Sequence, residues 1–225
     1  MTGAEVYEIL VNRGIAQLYH ANSVRTSISM LKLQGIASRQ LVAQKQLPQS
    51  IQFSDDADKR VGVWNDIFFD TVDIHSRASN RNKYGPVAFV MDIAFLKSLP
   101  ADSQVLVTRL NPSKWEEAPN VQRYFSNTKE LSAGLEVGNF DQMITIRTRG
   151  GLVPFGNFLR SLILDEPRLT AGIGPEFQSA STALASAANT NNFPLSIQRR
   201  TCFSCKCLKS YAEKESRIPF FYSKT

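Results

Sequence analysis

The first hundred residues alternate short apolar runs with glycine stops and polar loops, which limits the chain to small strands joined by single helices. Leu18-Tyr19-His20 ends an apolar run, a helix follows, and Gly35-Ile36 stops it. After a polar stretch comes Gly62-Val63-Trp64-Asn65-Asp66-Ile67-Phe68-Phe69, then a return strand, Val87 to Asp92. Thr2-x-x-Glu5 reads as a capping box for a first helix, with Val6, Ile9 and Leu10 at helical spacing and Gly14 as its stop. Residues 15–20 then read as a strand, and Ser23 as the cap of a second helix carrying Val24, Ile28 and Leu31.

Residues 39–58, Gln-rich and then acidic around Pro48, read as a loop of about twenty residues, a length that is usually functional or mobile. Further strands are expected at 62–69, 87–92, 104–110 and 143–147, each short and rich in β-branched or aromatic residues. The polar, basic insert 70–84, with His75, Arg77 and Arg81, sits where a binding loop would, although His75 itself reads as exposed. Pro154 and residues 155–164 look like a helix, and the Ala/Ser-rich stretch 178–192 like a weak helix or flexible linker. The chain therefore divides into a body, 1–170, and a C-terminal segment, 171–225.

Composition narrows the function. The 225 residues carry a net charge of +6, enough to favour an anionic partner such as nucleic acid, a phosphorylated cofactor or an acidic antitoxin-like protein. Residues 199–225 hold seven Lys or Arg against two Glu, interleaved with Phe203, Tyr211, Phe220, Phe221 and Tyr222. That mixture suits stacking on bases and contact with phosphates, and equally suits a tail docking on an acidic core. No stretch approaches the roughly 20 apolar residues of a membrane span, and the start lacks the pattern of a signal peptide, so a cytoplasmic protein is expected. Cys202, Cys205 and Cys207 lie within six positions, with neither histidine near in sequence, so reduced thiols are favoured over a metal site. There is no internal repeat, Walker loop, GxGxxG, HExxH or nucleophile elbow.

Tyr19-His20 followed by a helix and a glycine stop resembles the start of the DarT-type ADP-ribosyltransferases. So does Gly62-Val63-x-x-Asp66-Ile67-Phe68 leading past Arg77 and Arg81 to residues 87–92. The likeness covers roughly residues 15–150 and implies an α+β body with two small sheets around an NAD cleft. It implies transfer of ADP-ribose from NAD to a base of DNA or RNA, in a toxin or anti-phage role opposed by an antitoxin protein. His20, beside Tyr19, would contact the cofactor. Thr26 and Ser27 stand where the family usually shows Asn, and Arg60, with Lys59, matches the family's arginine. A guanidinium there would hold a pyrophosphate or carboxylate by two hydrogen bonds.

The family's catalytic glutamate falls on Gln142, beside Asp141. A carboxylate there would stabilise the oxocarbenium-like ribose and deprotonate the incoming amine; glutamine keeps the hydrogen bond and loses the charge and the base. Three readings stand: Asp141 does the work, the domain is naturally inactive, or Gln142 is an inactivating change. Glu136, in a loop between Gly134 and Gly138, is a further candidate. Trp64, Phe68 and Phe69 read as core, and Arg147 and Arg149 as either a nucleic-acid groove or the solvated side of an edge strand. The rival functions are a non-catalytic nucleic-acid- or protein-binding module and a transferase that modifies protein.

Overall fold

The computed structural model describes residues 1–52, 54–74, 83–117, 122–168, 172–190, 195–201, 206–214 and 216–224. Helix α1 (Gly3–Asn12) opens on the expected capping box, Thr2 N donating to Glu5 Oε2 at 2.7 Å and Glu5 N to Thr2 Oγ1 at 3.3 Å. Strand β1 (Gln17–Asn22) starts two residues later than the sequence suggests. Ser23 caps α2 (Val24–Lys32), and Gln34, at φ 54°, turns the chain into β2 (Gly35–Ala37). The stretch 39–58, expected as a loop, holds a short helix, α3 (Arg39–Gln44), and most of a second, α4 (Asp55–Arg60). Polar composition concealed them: α3 buries only Val42, and α4 only Asp55.

Strands β3 (Ile67–Phe69), β4 (Val87–Asp92), β5 (Gln104–Val107) and β6 (Ile144–Arg147) fall inside expected segments. Between the last two lies α5 (Thr128–Gly134). Residues 155–164 are not helical. After β7 (Leu152–Pro154), the chain runs into β8 (Leu159–Glu166), the longest strand. β8 is paired on both sides, so its apolar run is that of a central strand, which periodicity alone does not separate from a buried helix.

Among the described residues three small sheets result, ordered β1-β4-β8-β9, β3-β6-β5 and β2-β7. The fold is α+β, with β9 (Ile197–Thr201) the one parallel addition among the described pairings. A two-hydrogen-bond bridge, Tyr19 N to Asp70 O at 2.9 Å and Asp70 N to Tyr19 O at 2.8 Å, ties β1 to the end of β3 and brings the larger sheets together at one seam.

The segment 171–225 belongs to the same core. It supplies α6 (Pro175–Asn189), β9, α7 (Lys206–Glu213) and α8 (Arg217–Tyr222). Phe177, Ala180, Leu184, Tyr211, Ile218 and Tyr222 join one hydrophobic cluster with Phe69, Phe89 and Phe155. Alanines that read as linker are the small side chains that let α6 pack closely on α2. Its arginines dock on acidic residues: Arg200 Nε lies 2.6 Å from Asp165 Oδ1 and its Nη1 pairs with Asp73, while Arg199 Nε is 3.2 Å from Glu166 Oε2. Of the two readings of the basic tail, docking therefore takes Arg199 and Arg200. Lys206, Lys214 and Lys224 remain exposed.

Gly85 sits at φ 141°, and a Cβ there would lie 2.3 Å from the backbone oxygen of Asn22 and 2.4 Å from Ser23 N. Neither backbone atom can yield without dislodging the end of β1. Gly85→Ala is expected to lower unfolding free energy by at least about 2 kcal/mol, read as a fall in the urea midpoint. An unchanged midpoint would contradict this register of β1 against the residues before β4.

Candidate functional site

Beside the seam lies a cleft of about 820 Å³, counting its open mouth. Its enclosed space is about 100 Å³, so a ligand of cofactor size would lie largely in the open mouth. β1 presents His20 and Asn22 to it, two positions apart and so on one face of the strand. His20 is held between Phe69 and Phe89, with ring centroids 5.9 and 6.4 Å away. Its Nδ1 is 2.8 Å from the Phe68 carbonyl oxygen, which only accepts, so Nδ1 carries the proton and Nε2 accepts a long 3.4 Å bond from Asn22 Nδ2. Burial pushes its pKa down to about 4, against the Phe68 hydrogen bond and with help from the Arg39 charge. The imidazole is therefore neutral at physiological pH.

Asn22 is anchored by Ser23 N at 3.0 Å and Gln52 Nε2 at 3.3 Å, both donating to its Oδ1. Thr26 and Ser27 are buried and lie outside the lining; they fix its frame. Thr26 Oγ1 accepts from Ser50 N at 3.0 Å, and Ser27 Oγ donates to Ser23 O at 2.7 Å.

The stretch that looked like a loop supplies Arg39, Gln52, Ser54 and Asp58. Arg39 Nε and Nη2 grip Asp55 at 3.0 and 2.6 Å, and Nη2 also donates to Ser50 O at 2.7 Å. Its buried Nη1 has no hydrogen-bond partner among the described residues. Arg39 and Lys59 both lie over the Trp64 ring, 5.6 and 4.6 Å from its centroid. The lining also includes Asp66, Asp70, Asn111 and Met143. Asp66 is clamped by Arg147, Nε at 2.9 Å and Nη2 at 2.7 Å, an arrangement that raises the Arg147 pKa. Asp58 has no ion pair among the described residues. Burial lifts its carboxyl to about 6; Asp55 and Asp66 add to the rise, while a hydrogen bond from Ser54 and the Arg39 charge oppose it.

The other expected residues scatter. Arg60 lies outside the lining, in an exposed bidentate pair with Glu116 at 2.5 and 2.9 Å. Tyr19 points to a separate shallow depression beside Gly14 and Val137. Gln142 is turned away from the cleft: its Oε1 accepts from Glu136 N at 2.7 Å, and its Nε2 donates to Gly134 O at 3.0 Å. Asp141 holds Lys114 Nζ at 2.7 Å and Asn111 N at 3.2 Å, bracing the turn that forms the cleft rim. The residue of this segment that faces the cavity is Met143. Arg147 is on the central strand of its sheet and so not on an edge, and its 42%-exposed side chain pairs with Asp66; Arg149 is exposed. His75, Arg77, Arg81, Cys202 and Cys205 lie outside the described residues, and Cys207 is buried.

Sequence reasoning missed Arg39 and Asp58 and gave Asp66 no role. A signal for α4 was present: three aspartates in its first turn and Lys59-Arg60 in its last complement the helix dipole. Among the described residues no helix is long and apolar enough to cross a membrane, and no group of three or more His, Cys, Asp or Glu is placed to hold a metal ion. The chain matches no family model and no curated protein.

Proposed function

We propose that the protein is an ADP-ribosyltransferase that binds NAD in the His20 cleft and transfers ADP-ribose to a base of DNA or RNA. The observation that carries this reading is the cleft at the seam of two small sheets, with a neutral, Nδ1-locked histidine on its wall. His20 Nε2 would accept from a ribose hydroxyl in exchange for its long 3.4 Å bond from Asn22 Nδ2, and the unpartnered Arg39 Nη1 offers a buried donor to a phosphate or carboxamide oxygen. Arg39 thus takes the part expected of Arg60. The fit is best for the cationic nicotinamide end of NAD, because the cleft wall carries Asp58, Asp66 and Asp70 against Arg39. A cytoplasmic toxin or anti-phage role, with an antitoxin protein as partner, follows from the resemblance to DarT-type enzymes.

The test is incubation of the full chain with NAD labelled in the adenylate, together with DNA, RNA and protein fractions. Label is expected in one nucleic-acid fraction and to be lost with His20→Ala. Label in protein alone would move the substrate to a side chain. Label nowhere, with no nicotinamide released, would leave a binding module.

A further inference from the structure

We propose that Asp58 is the carboxylate that meets the reacting nicotinamide–ribose end of NAD in this cleft, in place of the glutamate expected at position 142. The inference rests on the NAD reading above. Three carboxylates line the cavity. Asp66 has both carboxylate oxygens engaged by Arg147, and Asp70 belongs by its backbone to the bridge that closes the seam. Asp58, on α4, is the one of the three with neither an ion pair among the described residues nor a place in that bridge, and it lines the same cavity as His20.

Position 142 is unsuited to the task. Both ends of the Gln142 amide are hydrogen-bonded to the backbone of residues 134 and 136, and a glutamate there would set a carboxylate oxygen against the Gly134 carbonyl, which accepts. The neighbour that does face the cavity, Met143, has no acid-base chemistry.

The charges around Asp58 favour a cation beside it. Asp55 on its own helix and Asp66 before β3 repel its charge, and Arg39 on α3 is already gripped by Asp55. From the turn packed against α4, Lys114 is held by Asp141, and Glu116 by Arg60. A positively charged nicotinamide would relieve that repulsion. In the transfer, the bond between ribose C1′ and the nicotinamide nitrogen breaks and nicotinamide leaves neutral with the electron pair. The amine of the base bonds to C1′, and its proton passes to the Asp58 carboxylate. A carboxyl that titrates near neutrality suits that last step.

The test compares NAD with ADP-ribose, which lacks the cationic ring, as ligands of the full chain and of Asp58→Asn. In the variant NAD is expected to bind about tenfold more weakly at pH 7.5, where Asp58 is ionised, and equally well at pH 5, with ADP-ribose not weakened at either pH. Nicotinamide release is expected to fall by about 100-fold or more, while Gln142→Glu gains none. An unchanged NAD to ADP-ribose ratio in Asp58→Asn, or nicotinamide release within a few-fold of the wild type, would overturn the assignment with the cleft reading intact. Wild type that binds NAD but releases no nicotinamide would overturn it too. Wild type that binds neither ligand would overturn the cleft reading itself.

Discussion

Arg147→Ala is expected to destabilise the protein by about 2–3 kcal/mol, a fall of roughly 5–10 °C in Tm for a chain of this size. The Asp66 side chain is 3% exposed and receives both of its charged hydrogen bonds from Arg147, so truncation leaves a buried carboxylate with no counter-charge. The loss stays below that of a fully buried pair because the guanidinium is 42% exposed. Arg147→Lys should recover only part of it, since an ammonium cannot make the two parallel bonds. Adding Asp66→Asn to Arg147→Ala should restore stability, because the stranded charge is then gone. The nucleic-acid reading of Arg147 predicts otherwise: Tm unchanged and affinity for DNA or RNA reduced. Urea unfolding of the four proteins separates the two.

Asp58→Asn should do the reverse and stabilise the fold at pH 7.5. The unfolded carboxyl titrates at about 3.8 and the folded one at about 6, so the unfolded state gives up its proton first as pH rises. Stability falls between about pH 4 and pH 6, and the penalty is complete above the folded value. Removing the charge should add up to about 2 kcal/mol at pH 7.5 and nothing below pH 4, the bound being kept low because the side chain is only half-buried. His20 acts with the opposite sign. Its depressed pKa costs stability as pH falls from 6.5 toward about 4, so in the wild type the two effects oppose each other in that window. In Asp58→Asn the histidine acts without that opposition, and the acid side of the stability curve should steepen. A variant no more stable than wild type at pH 7.5 would contradict the raised pKa. A site residue whose removal stabilises the fold is what a stability–activity trade-off predicts.

The sequence marked strands where apolar runs were short and bounded, as at β4 and β6, and helices where a cap preceded a helical face, as at α1 and α2. It misled at β8, whose apolar run reflects pairing on both sides, a property of neighbours distant in the chain. It misled again at 171–225, where Arg199 and Arg200 meet Glu166 and Asp165 more than thirty residues earlier. The site was legible through His20 alone. Arg39 and Asp58 sit on short helices with almost no apolar face, and only the folding of 38–66 back onto β1 brings them to the histidine. Motif matching reached Arg60 and Gln142, but their side chains point elsewhere in the fold.

NAD binding in the His20 cleft would show in thermal unfolding of the full chain at rising NAD concentration. A saturable rise is expected, roughly 5–10 °C when NAD reaches about a hundred times its Kd. The rise should be lost with His20→Ala and reduced when Arg39→Met removes the unpartnered Nη1 donor. A Tm that stays flat to millimolar NAD, or a rise of equal size in all three proteins, would contradict NAD binding in this cleft.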